Sequence, residues 1–124
     1  MAVTSLKSYR ELIVWQKSMD LAVRIYETTR GFPSEERFGI TSQMRRAATS
    51  IPANIAEGQG RRTTGEFLQL LGIARGSLAE LETFLALSER LALVTKPESE
   101  SLLNDCAEIN KMLQALVKSL SASR

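Results

Sequence analysis

The chain has no histidine, one cysteine (Cys106) and only three prolines among its 124 residues. Each shortage closes a line of chemistry. Without imidazole there is no Ser-His-Asp or Cys-His nucleophilic centre, and the commonest metal ligand is missing as well. A di-metal carboxylate site in a helical bundle usually takes a Glu-x-x-His pair from each of two helices, so that site is argued against on the same ground. One thiol can neither close an intrachain disulfide nor build a thiolate zinc site, a pattern that fits a reducing, cytoplasmic setting. No apolar run approaches the ~20 residues needed to cross a bilayer, and Met1 to Lys7 lack the apolar stretch of a signal peptide. No cofactor and no membrane partner are expected.

What is present is an ordinary globular balance of 44% hydrophobic and 24% charged residues, enough for one domain over residues 1–124 with its own core. Apolar periodicity near 3.6 predicts four helices, at about 9–30, 34–57, 63–91 and 96–120. In the first, Leu12, Trp15, Met19, Ala22 and Tyr26 form a seam that Val14, Leu21 and Ile25 widen. Gly31 and Phe32-Pro33 end it. In the second, Ile40, Met44, Ala47, Ala48, Ile51 and Ile55 share a face. Pro52 falls inside that face and predicts a kink rather than a stop, with Thr49 or Ser50 able to satisfy a freed carbonyl. Gly58 reads as the left-handed residue that closes the helix.

The third helix opens on a capping box, Thr63 with Glu66, and the fourth on another, Thr95 with Glu98. The third carries Phe67, Leu71, Ala74, Leu78, Leu81 and Leu85 on one seam and Leu70, Ile73, Phe84, Leu87 and Leu91 on a second. The two seams cover roughly 200° against the ≳100° of one core-facing stripe, so the second predicts an oligomer interface. The fourth repeats Leu102, Cys106, Ile109, Leu113, Leu116 and Leu120, and its last four residues are expected to fray. Short connections predict an all-α, up-down-up-down four-helix bundle.

Charge is uneven. Residues 37–76 hold six arginines against two glutamates, whereas residues 77–124 hold five positive against seven negative side chains. Arginine suits phosphate or carboxylate better than lysine does, although a solvated helix face is the plainer explanation of such a run. Glu80 and Glu82 point to different sides of one helix and make a poor acid–base pair. Glu57 and Arg61 read as a surface ion pair. Gly58, Gly60 and Gly65 lack the spacing, the Lys-Ser/Thr pair and the preceding strand of a phosphate loop. Ser50, Asn54 and Ser77 are placed to hydrogen-bond between helices. Cys106 reads as a small buried hydrophobe. None of this assembles a matched acid, base or nucleophile.

The stretch from Ser42 to Gly58, SQMRRAATSIPANIAEG, resembles the four-helix bundle family encoded in intervening sequences of bacterial large-subunit ribosomal RNA. The resemblance extends to Leu12-Ile13-Val14-Trp15-Gln16, to Glu66-Phe67 and to residues Ala74 to Glu82, and spans about residues 9–118. It implies a bundle that assembles as a ring, typically a homopentamer. A related branch resembles the accessory variability determinant of diversity-generating retroelements, a basic pentameric barrel that associates with a reverse transcriptase and nucleic acid. At a net charge of +2 this chain departs from that branch.

The expected function is therefore a non-enzymatic oligomeric accessory protein that binds RNA or DNA, with a reverse transcriptase or another nucleic-acid enzyme as a possible partner. The candidate nucleic-acid contacts are Arg45, Arg46, Arg61, Arg62 and Arg75. The candidate oligomer interface is Leu70, Ile73, Phe84, Leu87 and Leu91. The alternative is a protein-binding scaffold whose arginines serve assembly.

Overall fold

The computed structural model describes residues 8–122; the N-terminal segment Met1 to Lys7 and the last two residues of the tail expected to fray lie outside the described residues. Four helices and no strand appear among them: α1 (Ile13–Thr29), α2 (Ile40–Gln59), α3 (Thr64–Arg90) and α4 (Lys96–Ala122). None is long and apolar enough to cross a membrane. Each helix packs on the next along the chain and α4 closes back on α1, while the diagonal pairs do not approach. This is a four-helix bundle with antiparallel neighbours. Pairs such as Met44 with Ser88 and Ser50 with Ser77 run in opposite order along α2 and α3.

The first helix starts later than its periodicity predicts. Ser8 Oγ accepts from the Arg10 N–H at 3.1 Å and caps a 3₁₀ turn at Tyr9–Glu11. Leu12 then takes an extended conformation (φ −74°, ψ 122°) and buries its side chain before α1 begins. The buried face of α1 also differs. It is Val14, Ser18, Leu21, Ala22, Ile25 and Thr29, whereas Met19 and Tyr26 are exposed and Trp15 is half-buried. Ser18 and Thr29 enter the core because their hydroxyls donate to the carbonyls of Val14 and Ile25, each at 2.7 Å, which leaves no orphan donor.

Arg30 to Gly39 form the turn into α2, with a short 3₁₀ piece at Ser34–Glu36 instead of a continuous helix. Gly39 precedes α2 and supplies no side-chain cap. The helix runs through Pro52, which is buried within it. Thr49 Oγ1 donates to the Arg45 carbonyl at 2.9 Å and Ser50 Oγ accepts from Asn54 and Ser77, so neither hydroxyl turns to the carbonyl of Ala48 that the proline ring leaves without its N–H.

Gly58 corrects another expectation. The helix extends to Gln59, no glycine has a positive φ, and Gly58 is buried inside the last turn. Its role is close approach: a Cβ there would stand 2.7 Å from Phe67 Cδ1 and 3.3 Å from Leu70 Cβ. The missing side chain lets α2 and α3 meet where they converge on their linker. Further along the same seam Ser77 Oγ donates to Ser50 Oγ at 2.9 Å, and Asn54 Nδ2 donates to the Ser50 carbonyl at 2.8 Å.

Thr63 Oγ1 accepts from the Glu66 N–H at 3.1 Å at the start of α3. At α4 the box is reciprocal: Thr95 Oγ1 accepts from the Glu98 N–H at 3.2 Å, and Glu98 Oε1 accepts from the Thr95 N–H at 2.9 Å. Between them α3 ends on Ala92 in the left-handed region (φ 58°). Fully buried Ile25, Ile51, Ile55, Leu71, Leu85, Leu102 and Leu113 form the centre of the core, each worth about 1.5–3 kcal/mol of burial.

Candidate functional site

The five arginines read from the sequence do not form one patch. Arg45 lies in the second turn of α2, against the end of α1. Its Nε donates to Thr29 Oγ1 at 2.8 Å, its Nη2 reaches the Tyr26 carbonyl at 3.4 Å, and its guanidinium sits 4.5 Å from the centre of the Tyr26 ring. Arg46 is exposed and bonds to Gln43 on its own helix. From Arg45 to Gln59 the helix rises about 21 Å, and Arg61 and Arg62 stand beyond that far end. Arg61 pairs with Glu57 and reaches Glu66 at 3.9 Å, the surface ion pair expected of it. Arg62 is exposed and makes no ion pair among the described residues. Arg75 is on the α4 side of α3, at a shallow cleft that Gly72, Gly76, Glu82 and Asn110 also line.

Folding brings Arg45 instead to Arg30 and Arg37, which the sequence reading did not select. All three line one cleft at the turn between α1 and α2. The spacings of seven and eight residues span the helix end and the 3₁₀ turn, so no single periodicity relates them.

Apart from the isolated Ile13 and Phe38, 54% and 88% exposed, apolar surface is left over on α3 and between α1 and α2. On α3 the second seam is partly solvent-facing: Ile73, Leu87 and Leu91 are 48%, 42% and 54% exposed, while Leu70 and Phe84 are half-buried. The other is a groove of about 580 Å³ between α1 and α2, lined by Tyr9, Trp15, Met19, Val23 and Tyr26 with Ala22, Pro52, Ala53 and Ala56. Tyr9 and Trp15 meet edge to face at 5.2 Å, with the Arg10 guanidinium 5.5 Å from the Trp15 ring. The available signal was the width of the first helix's stripe, read above as one widened seam: it is wider than a single core-facing face requires.

Cys106 is buried, and burial, followed by the nearby Glu82 and Asp105 charges, pushes its thiol up to about 12. A thiol held protonated in this way is no nucleophile. Among the described residues no three cysteine or acidic side chains gather in a way that could hold a metal ion. The surfaces on offer are thus apolar faces that can receive another helix and arginines that can receive an anion.

No curated protein matches the chain. A solved structure from Bacteroides thetaiotaomicron, described as a protein of unknown function from the S23 ribosomal protein family, is 35% identical and superposes with a TM-score of 0.77, covering 85% of this chain and 98% of that one. The family model for the 23S rRNA-intervening sequence protein matches residues 10–115. With nearly the whole bundle inside that match, the chain belongs to the 23S rRNA-intervening sequence protein family.

Proposed function

We propose that this protein is a non-catalytic accessory module that acts as an oligomer and binds RNA or DNA through its arginines. The observation that carries the reading is that Arg46, Arg62 and Arg75 are exposed and have no ion-pair partner among the described residues. Unpaired arginines on three parts of one small bundle give a dispersed cationic surface. Repeated around a ring, such weak contacts add by effective concentration. The exposed part of the α3 seam, Ile73, Leu87 and Leu91 with Leu70 and Phe84 beneath, is the surface on which a second copy would sit. A nucleic-acid enzyme such as a reverse transcriptase is the partner that this role would serve.

The test is titration of RNA and DNA at several salt concentrations against the wild type and a triple variant, Arg46→Ala, Arg62→Ala and Arg75→Ala, with subunit number measured by light scattering. Each phosphate contact adds about 0.9 to the salt slope on duplex DNA. The triple variant is expected to bind more weakly and to lose two to three contacts' worth of slope, roughly 2 to 3. Equal affinity and slope would reject these arginines as contacts, and a bare 13.7 kDa monomer at micromolar concentration would reject the oligomer. A second reading, a protein-binding scaffold, is favoured by the groove between α1 and α2. It gains if the wild type binds no nucleic acid even at low salt.

A further inference from the structure

We propose that the turn joining α1 to α2 holds a binding pocket for one phosphoryl group, gripped by Arg30, Arg37 and Arg45 with the hydroxyl of Thr41. The pocket shares none of the dispersed arginines above, Arg46, Arg62 and Arg75, and stands whether or not they bind a polynucleotide.

The cleft measures about 270 Å³, and Arg30, Arg37 and Arg45 line it together with Thr29, Ser34 and Thr41. No carboxylate lines it, and none of the three arginines makes an ion pair among the described residues. Three cations round one small cleft repel one another, and an anion between them removes that repulsion. Arg45 is already fixed: Thr29 Oγ1, the Tyr26 carbonyl and the Tyr26 ring hold its Nε, Nη2 and face, which leaves Nη1 for a ligand. A guanidinium oriented beforehand loses little freedom on binding. Arg37 rests against the Phe38 ring at 5.4 Å.

Thr41 adds an observation of a different kind. It lines the same cleft, is only 8% exposed, and its Oγ1 has no hydrogen-bond partner. Buried hydroxyls are nearly always paired, so this one is a donor in want of an acceptor. The charge in the pocket comes from the arginines and not from the helix end, because the Glu36 carboxylate lies close to Gly39 at the start of α2, outside the lining. A guanidinium fork pairs with carboxylate and phosphate alike, but three of them with a hydroxyl present more donors than the two oxygens of a carboxylate can meet, and a phosphoryl group brings three or more acceptor oxygens and a larger charge. The volume falls below the range of drug-sized ligand sites, which suits a phosphate, free or at the end of a chain.

The experiment titrates the full-length protein with inorganic phosphate at low salt, followed by amide NMR, with acetate as a control anion. The expected result is saturable binding of one phosphate per chain, with shifts centred on Arg37 to Thr41 and much weaker effects of acetate. Arg37→Ala and Arg30→Ala should each weaken binding about tenfold, Thr41→Val should weaken it without altering the fold, and Lys118→Ala, on the far helix, should not matter. Competition by RNA with a 5′-phosphate but not by the same RNA with a 5′-hydroxyl supports the pocket with a polynucleotide end as the source. Competition by neither supports it with free phosphate as the source. Competition by both supports it with a backbone phosphate. No saturable binding, equal binding of acetate, or equal weakening by Lys118→Ala overturns the proposal.

Discussion

Gly58→Ala sets two known effects against each other. Alanine is favoured over glycine inside a helix by about 0.8–1 kcal/mol, and Gly58 is helical with an ordinary negative φ. Propensity alone therefore predicts a gain. The structure predicts a loss, because the new methyl would stand 2.7 Å from Phe67 Cδ1, 3.2 Å from Phe67 Cε1 and 3.3 Å from Leu70 Cβ. Phe67 is buried and cannot swing into solvent. Leu70 Cβ is fixed to the α3 backbone, so relief requires moving the helix. Overpacking of this kind costs typically about 1–3 kcal/mol, leaving a net destabilisation of about 1 kcal/mol once propensity is subtracted. Gly72→Ala and Gly76→Ala are the controls: nothing lies within 4 Å of either added Cβ, so each should gain about 0.5–1 kcal/mol. Urea unfolding of the four proteins at one fixed concentration reads all of this. If Gly58→Ala only matches the wild type while Gly72→Ala gains, the close approach of α2 and α3 costs no more than the propensity returns, about 0.8–1 kcal/mol. If all three variants gain alike, the steric argument fails.

The Cys106 thiol should resist maleimide at pH 8 in the folded protein and react once the chain is unfolded in denaturant; rapid native-state labelling would contradict its burial. Its raised folded value, about 12 against 9.0, means that the unfolded chain releases the proton first. The wild type should therefore lose stability relative to Cys106→Ala as pH rises above about 9. At the start of α4, Thr95→Ala should cost about 1 kcal/mol by thermal or urea unfolding. The Thr95 backbone N–H, with its hydroxyl, holds the Glu98 carboxyl below the usual carboxylate range, so this ionised part of the box contributes at neutral pH and is lost as pH falls through that lowered value. The gap between wild type and Thr95→Ala should narrow in acid, as the Thr95 hydroxyl loses its ionised partner, but not close, because the bond from the Glu98 N–H to Thr95 Oγ1 does not titrate; a gap that widens toward pH 2 would count against the box.

Three of the four buried faces were legible as periodic apolar residues. Ile40 to Ile55 in α2, Phe67 to Leu85 in α3 and Leu102 to Leu120 in α4 all face the core; the Thr95–Glu98 capping box bonds in both directions, whereas at α3 Thr63 caps the Glu66 N–H and the Glu66 carboxylate returns to the Thr63 hydroxyl instead of its N–H. The first helix misled because its buried face contains Ser18 and Thr29, which look polar in a pattern but satisfy their own hydroxyls on backbone carbonyls. The larger residues Trp15, Met19 and Tyr26 kept helical spacing as well and drew the seam to the wrong side. Gly58 was ambiguous for another reason: a glycine near a helix end serves equally as a left-handed stop or as a gap for a neighbour, and only the position of Phe67 decides. The gathering of Arg30, Arg37 and Arg45 depends on the path of the turn between two helices, which no spacing encodes.

The order in which the helices pair has a kinetic consequence. α1 with α2, α2 with α3 and α3 with α4 are contacts between chain neighbours, and only the α1–α4 seam joins elements from opposite ends of the chain; it is also the most thinly packed. Short-range pairing makes for rapid folding, so hairpins of adjacent helices can form early and the last event is the closure of α1 on α4. That seam carries the two ion pairs between helices, Lys17 with Glu108 and Arg24 with Asp105, all four side chains 39–54% exposed. Exposed pairs of this kind are worth at most about 1 kcal/mol and weaken with salt. The bundle accordingly has a preferred place to come apart. Amide protons of α1 and α4 should exchange through a partial opening that salt makes easier, while those of α2 and α3, locked at Gly58 and at Ser50–Ser77, wait for global unfolding.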